Sequence, residues 1–374
     1  MIYLDNAAST RLDDEVLKVM TPYFTQNYGN SQSQHAKGRE AAGALIAARD
    51  KMASLINCKS DELYFVSGGT EAGNTAIKGA CSHYKTGSIV LSAIEHPAML
   101  ESARDMQKHG FELILVYPDE NGVISPESVE KALRSDTIFC GVMAANNETG
   151  VVQPVERIGK ICRERGVFFY IDCVQTAGTR KIDASICDGL GVSSHKFYGP
   201  KGVGALYLRK GSKVDRLISG GMQESGFRGG TVNIAGIVGM VEAYSRACAC
   251  REEHNIKLKK LRDALVSGVL SNIDCAKING GGDILSSHAN ISFEGCDGER
   301  ILFLLDLKGI CVSTGAACSA GVVYSSHVLQ AMGLSPSRVK SSIRFSFGNY
   351  NTMQEVETTI SALCEIIKKI QVCA

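Results

Sequence analysis

Ser193-Ser194-His195-Lys196-Phe197-Tyr198-Gly199-Pro200-Lys201-Gly202-Val203-Gly204 is the stretch around which the chain is organised. One lysine follows a Ser-Ser-His run and precedes residues too rich in glycine and proline for a helix. Such residues fix an irregular loop and let the backbone approach a ligand closely. Ala205-Leu206-Tyr207-Leu208 comes next and reads as a strand. A lysine held in a tight loop between strands has less freedom than a surface lysine. Desolvation or a nearby cation lowers its pKa, and the neutral amine is then a nucleophile able to form a Schiff base with a carbonyl. A solvated loop lysine would carry the same local sequence, so the rest of the chain has to decide.

Outward from this loop, apolar strands alternate with helices. An amphipathic helix is expected from about Asp14, with Val16, Met20 and Phe24 on one face, and a longer one over 34–56. Strands are expected at 62–66, 88–91, 111–115, 138–143 and 167–171, and helices at 73–84, 98–108 and 155–165. Pro126 opens a further helix at its favoured first-turn position. The pattern predicts an α/β fold, a mainly parallel sheet covered by helices on both faces. Ligands of such sheets lie beyond the carboxyl ends of the strands. After Ile234 the character changes. A helical region runs to about Leu270, with Arg251-Glu252-Glu253-His254 as a charged, solvated face. Strands at 289–293 and 342–347 then mix with helices at 299–307 and 355–370, which predicts a smaller α+β domain. The expected division is a large domain, 15–255, and a small one built from 1–14 and 256–374.

Composition excludes several classes. The 374 residues carry a formal charge of +1, aromatics are sparse and no Lys/Arg block occurs, so no nucleic-acid partner is expected. The start, Met1-Ile2-Tyr3-Leu4-Asp5-Asn6, does not read as a signal peptide, and no apolar run is long enough to cross a bilayer. The 14 cysteines are scattered without Cys-x-x-Cys or metal-ligand spacing, so no metal site is expected. Cys140 and Cys173 lie in apolar runs and read as core residues. A reducing, cytoplasmic setting is the simplest for such a chain.

Four strand ends carry chemistry. Ser67-Gly68-Gly69-Thr70-Glu71 follows a strand and opens a helix, where free N–H groups, the helix dipole and the Thr70 hydroxyl suit a phosphate. A plain strand-to-helix turn would look much the same. Asp172 ends the strand before Cys173-Val174-Gln175. A cationic ring nitrogen would pair its charge, and an N-cap role is the alternative. His96, fixed by Pro97, is placed to stack on a ring or move a proton, or is simply a satisfied side chain. Asn146-Asn147-Glu148-Thr149-Gly150 is a turn whose amides suit a phenolic oxygen or a substrate group.

Asp172 with Gln175, and the Ser-x-His-Lys of Ser193–Lys196, together resemble a fold-type I (aspartate aminotransferase-like) pyridoxal-phosphate enzyme of the class V aminotransferase group. The resemblance implies that Lys196 forms the Schiff base with pyridoxal 5'-phosphate and that Asp172 keeps the pyridine nitrogen protonated. It implies that His96 stacks on one ring face, Val174 packs on the other and Gln175 binds the phenolate oxygen. Gly69, Thr70, Ser193 and His195 hold the phosphate. Thr231 reaches the phosphate of a partner subunit, which implies a homodimer.

The second half carries a further resemblance. Ala317-Cys318-Ser319, followed by Ser326-His327-Val328-Leu329, is similar to the NifS/IscS-type cysteine desulfurases. Asp5-Asn6-Ala7-Ala8-Ser9-Thr10, Asn147-Glu148-Thr149-Gly150 and Ser342-Ile343-Arg344-Phe345-Ser346 match as well. By local sequence Cys318 reads first as a packed structural cysteine, and the resemblance reverses that. By resemblance it takes sulfur from L-cysteine as a persulfide, leaving alanine, while Arg344 clamps the substrate carboxylate and Asn147 helps bind substrate. The persulfide passes to an acceptor protein, an iron–sulfur scaffold or a thiolation enzyme. A selenocysteine lyase or an aminotransferase on the same fold is the alternative. Ser31, Gln32, Gly73, Ser194 and Ser325 depart from the usual family pattern, and none of them removes a group with a covalent role.

Overall fold

A computed structural model describes residues 1–314 and 325–372. In chain order the first elements are β1 (Ile2–Tyr3), α1 (Asp14–Met20), α2 (Pro22–Thr25), α3 (Ala36–Leu55), β2 (Leu63–Val66) and α4 (Gly69–Cys81). Then come β3 (Gly87–Ser92), α5 (Pro97–Gln107), β4 (Phe111–Val116), α6 (Pro126–Ala132), β5 (Thr137–Met143), α7 (Val155–Arg165) and β6 (Phe168–Asp172). β7 (Gly189–Ser193) and β8 (Gly204–Leu208) flank the lysine loop, followed by α8 (Ile234–Ala249) and α9 (Arg251–Asn272). The remainder is β9 (Ala276–Ile278), β10 (His288–Phe293), α10 (Gly298–Leu307), β11 (Ile310–Cys311), α11 (His327–Ala331), α12 (Pro336–Lys340), β12 (Ser342–Ser346) and α13 (Met353–Val372).

The large sheet has seven strands in the order β2-β8-β7-β6-β5-β3-β4. β3, β4, β5, β6 and β7 pair in parallel, and β8 runs antiparallel to both β7 and β2. β2 therefore points the same way as the parallel strands, and its carboxyl end joins theirs at one edge. Side chains alternate between two cores. Val90, Val142, Ile171 and Val192 face one layer of helices, while Ile89, Leu91, Phe139 and Tyr170 face the other. A three-stranded antiparallel sheet, β12-β10-β9, has a core of its own with α9, α10 and α13, and Leu4 from the N-terminal segment packs into it.

Three expectations about elements need correcting. The first helix stops before Pro22, which lacks the N–H needed to continue it, so Phe24 is 62 % exposed while Val16 and Met20 are buried. The helical region after Ile234 is two helices broken at Cys250. β7 and the short strands β1, β9 and β11 had no clear sequence signal. No helix among the described residues is long and apolar enough to cross a membrane.

Candidate active site

The sheet delivers its functional side chains at the shared strand edge. After β2, Ser67 and Gly68 turn the chain into α4, whose first residues are Gly69 and Thr70. Beyond β3, His96 caps α5: its Nδ1 accepts the Ala98 N–H at 3.1 Å, with Pro97 in the first helical position. This leaves Nε2 to carry the proton of the neutral ring. Past β5, Asn146 Oδ1 accepts the N–H groups of Glu148 (2.9 Å) and Thr149 (3.0 Å), a turn that sets Asn147 in place. β6 ends at Asp172 and β7 at Ser193, and one helical turn, Ser194–Lys196, carries the lysine.

Gly69, Thr70, His96, Asn147, Asp172, Val174, Gln175, Ser193, His195 and Lys196 line one cavity of about 180 Å³. Ala98 and Met143, which the sequence had not marked, complete its wall. Thr231 lies apart: it is exposed and borders a different pocket beside Glu224 and Arg228. Arg344 is buried on β12 and already partnered. Its Nη2 donates to Asp5 Oδ1 at 2.7 Å and its Nη1 to the Asn147 carbonyl at 3.0 Å. Cys318 lies outside the described residues. A larger cavity of about 470 Å³, between α9 and the β9–β10 loop, holds Arg180 and Arg262, whose guanidiniums are taken by Asp283 and Asp263. None of the ten sequence-marked residues that line the first cavity borders it.

The electrostatics of the first cavity favour a nucleophilic amine. Burial, then the Arg344 charge, pushes the Lys196 ammonium down to about 8, against the pull of Asp172 and Asp5. Its Nζ donates to the carbonyls of Ala7 (2.6 Å) and Ala8 (2.9 Å). Burial raises the Asp172 carboxyl, while the Val174 N–H (2.8 Å), His96 and Lys196 oppose the rise. His96 is lowered by desolvation, with Asp172 acting against it. His195 is pushed down to about 4 by burial, Lys196 and Lys201. A buried carboxylate of this kind suits a protonated ring nitrogen. A helix N-terminus with hydroxyl and imidazole groups suits an anion. A Cβ on Gly69 would come within 2.6 Å of Val174 Cγ2, so only glycine keeps that corner open. The donor set fits a phosphorylated pyridine aldehyde.

Two features were missed. The segment Asp5–Thr10 is a strap over the lysine loop: Gln175 Nε2 also donates to Ala7 O (3.1 Å), Thr10 N–H donates to His195 O (2.9 Å), and Ser9 Oγ and His195 Nδ1 are hydrogen-bonded at 3.2 Å. Its sequence was noted for resemblance, but nothing local tells that residue 7 meets residue 196. The other feature is a pair of buried carboxyls, Glu95 and Glu148, each beside a residue that was marked. Burial pushes Glu95 up to about 8 and Glu148 up to about 7.

Fold and site together are those of an α/β enzyme built around a buried lysine amine. Residues 2–359 match the family model for aminotransferase class-V. The chain is 42 % identical over 375 residues to the cysteine desulfurase IscS of Dictyoglomus turgidum, covering 99 % of this chain and 95 % of that protein. It is 41 % identical to the IscS of Methanosarcina thermophila, covering 99 % and 93 %. A solved NifS-like protein superposes with a TM-score of 0.93 at 36 % identity, covering 98 % of this chain and 99 % of the other. A structure of SspA in complex with cysteine gives 0.83 at 31 % identity, covering 94 % and 100 %. The chain belongs to the class V aminotransferases, a pyridoxal-phosphate-dependent family, in its IscS/NifS cysteine desulfurase group.

Proposed function

We propose that this protein is a cysteine desulfurase: L-cysteine and the Cys318 thiol give L-alanine and a persulfide on Cys318, which passes to an acceptor protein for iron–sulfur assembly or thiolation. The observation that carries the reading is the single cavity in which a lysine with a depressed pKa meets a buried carboxylate, an imidazole and a helix N-terminus. Asp172 would hold the ring nitrogen of pyridoxal phosphate, His96 and Val174 its faces, Gln175 its phenolate oxygen, and Gly69, Thr70, Ser193 and His195 its phosphate. Bound there, the cofactor would supply a carbonyl for the substrate amine and an electron-withdrawing ring that makes the substrate Cα–H acidic.

The chain's own residues do the rest. Lys196 Nζ would take the Cα proton and return it to Cα before alanine leaves; its lowered pKa leaves a fraction of the amine free to do so near neutral pH. Cys318 attacks the substrate sulfur as a thiolate: a sulfur–sulfur bond forms, the carbon–sulfur bond breaks, and the carbon keeps the electron pair and takes up a proton. His96 Nε2 would move that proton, a reading supported by its place in the cavity wall. Arg344 and Asn147 receive the substrate carboxylate, Arg344 exchanging Asp5 for it. Thr231 contributes to the phosphate site of a partner subunit in a homodimer, a reading supported by its exposure outside its own cavity. Residues 15–255 form the cofactor domain, and 1–14 with 256–374 the second. The packing of Leu4 with Leu258, Ile291 and Phe345 supports that division.

The test measures sulfide (with a reducing thiol present) and alanine from L-cysteine, with absorption spectra, for wild type, Lys196→Ala and Cys318→Ala. The expected result is stoichiometric alanine and sulfide in wild type, no Schiff-base band in Lys196→Ala, and a retained band without turnover in Cys318→Ala. Sulfide release that survives Cys318→Ala overturns the persulfide route.

A further inference from the structure

β2 is an edge strand of the large sheet, and an edge leaves alternate backbone groups unpaired. Side chains take them here. Arg49 Nη1 donates to Leu63 O (2.5 Å), Phe65 N–H donates to Glu224 Oε2 (2.8 Å), and Ser67 N–H donates to Glu71 Oε2 (2.7 Å). Each buried carboxylate also grips a guanidinium with both oxygens. Arg49 meets Glu224 at 2.8 and 2.6 Å, and Arg228 meets Glu71 at 2.8 and 3.2 Å. Glu224 and Arg228 lie on one segment, in which Glu224 and Ser225 adopt left-handed φ angles of 47° and 55°. Non-glycine residues hold that region only where their surroundings force it. The two ion pairs and the Tyr64–Phe227 ring contact, with centroids 4.3 Å apart, supply the force. Thr231 ends the same segment.

Glu71 directly follows Thr70 in the first turn of α4. A buried negative charge in the turn that is to receive an anion opposes binding unless a cation offsets it. Burial alone would raise the Glu71 pKa, but Arg228 and the Ser67 bond outweigh it and hold the carboxyl below its usual range. Glu71 is therefore a charge that needs Arg228.

We propose that Glu71 and Arg228 are a positioning pair for the phosphate of the cofactor. Arg228 cancels the Glu71 charge so that the α4 N-terminus accepts a dianion, and it ties that turn to the segment bearing Thr231. The inference rests on the pyridoxal-phosphate site proposed above and adds residues that the cavity does not contain.

The test titrates the apoprotein with pyridoxal phosphate and with pyridoxal, which lacks the phosphate, following the Lys196-dependent absorption band. The ratio of the two dissociation constants isolates the phosphate contribution. Arg228→Gln is expected to cut the preference for the phosphorylated compound about 10–100-fold, the size of one lost charged interaction, with pyridoxal affinity unchanged. The double variant Glu71→Gln/Arg228→Gln, neutral at both positions, recovers to within about threefold of wild type. Glu71→Gln alone keeps an acceptor for Ser67 and frees a cation, so it keeps or raises the preference; it decides the matter if Arg228→Gln does not fold. An unchanged ratio in Arg228→Gln, a double variant as weak as the single, or a tenfold fall in Glu71→Gln overturns the proposal. If wild type forms no band with either compound, the cofactor site itself fails.

Discussion

Glu95 and Asp172 are two carboxyls at the same edge of the same sheet, and their neighbours differ. Asp172, at the end of β6, faces the Val174 N–H, His96 and Lys196, which all favour its anion. Glu95, after β3, has neutral donors only. Its Oε1 accepts from Ser92 Oγ (2.5 Å) and Met143 N–H (2.6 Å), its Oε2 has no partner, and the charge of Asp172 works against it. Its pKa is pushed up to about 8, so it is protonated at neutral pH. Burial raises both groups. What each one faces then separates a carboxyl whose contacts favour its anion from a neutral acid that bridges β3 and β5.

The sharpest way to break the contrast is to remove its cation. Lys196→Ala is expected to lower turnover of L-cysteine about 10⁴-fold, the upper range for loss of a proton-transferring group, and to abolish the Schiff-base band. Second, Asp172→Asn keeps the shape and removes the charge; a fall of about 10²–10³-fold in kcat is expected. Glu95→Gln, made in parallel, should lie within about threefold of wild type because it replaces an already neutral group. Equal losses in the two variants would erase the distinction.

A smaller effect follows from the depressed Lys196 pKa. The neutral fraction of the amine grows tenfold per pH unit below about 8 and levels off above it. The rate of pyridoxal-phosphate capture by the apoprotein should follow that curve in stopped-flow absorbance. A rate still rising steeply toward pH 10 would mean that the lysine is not desolvated.

The last effect is on stability. Glu95 loses its proton near its ordinary carboxyl pKa in the unfolded chain but only near 8 when folded. Between those values the folded state binds the extra proton, so Glu95 makes stability fall as pH rises, by at most about 1.4 kcal/mol per unit. Urea unfolding from pH 5 to 8 should show wild type losing more stability than Glu95→Gln. Glu148, raised in the same direction to about 7, contributes equally to both proteins and cancels in the difference.

The strand ends were legible because most report themselves locally: an apolar run stops, and Thr70, His96, Asn147 or Asp172 follows it, whereas Lys196 was marked by the Ser-Ser-His run before it and the glycine- and proline-rich residues after it. β7 was not legible, because Gly189-Leu190-Gly191 dilutes the strand pattern. Its glycine has a tertiary cause: a Cβ on Gly191 would collide with the Tyr170 hydroxyl and lie 2.9 Å from Ala72 Cβ. The strap was hidden for a similar reason, since its contacts with Gln175 and Lys196 join residues far apart in the chain. Met143, one of the two Glu95 partners, and both Arg344 partners likewise come from distant elements, so composition announced the charges but not all that answers them.

The strap also makes the surroundings of one lysine depend on a strand of the other sheet. Asn6 Nδ2 donates to Ser346 O (3.0 Å), Ala7 N–H donates to Ser346 Oγ (2.9 Å), and Asn351 Nδ2 donates back to Tyr3 O (3.1 Å). Residues 3–7 are thus fastened by residues 346 and 351, and with the Thr10, Gln175 and His195 bonds this holds the Ala7 and Ala8 carbonyls on Lys196 Nζ. A chain cut before residue 346 would keep the lysine but lose these anchors, so the surroundings of Lys196 depend on β12, far along the sequence.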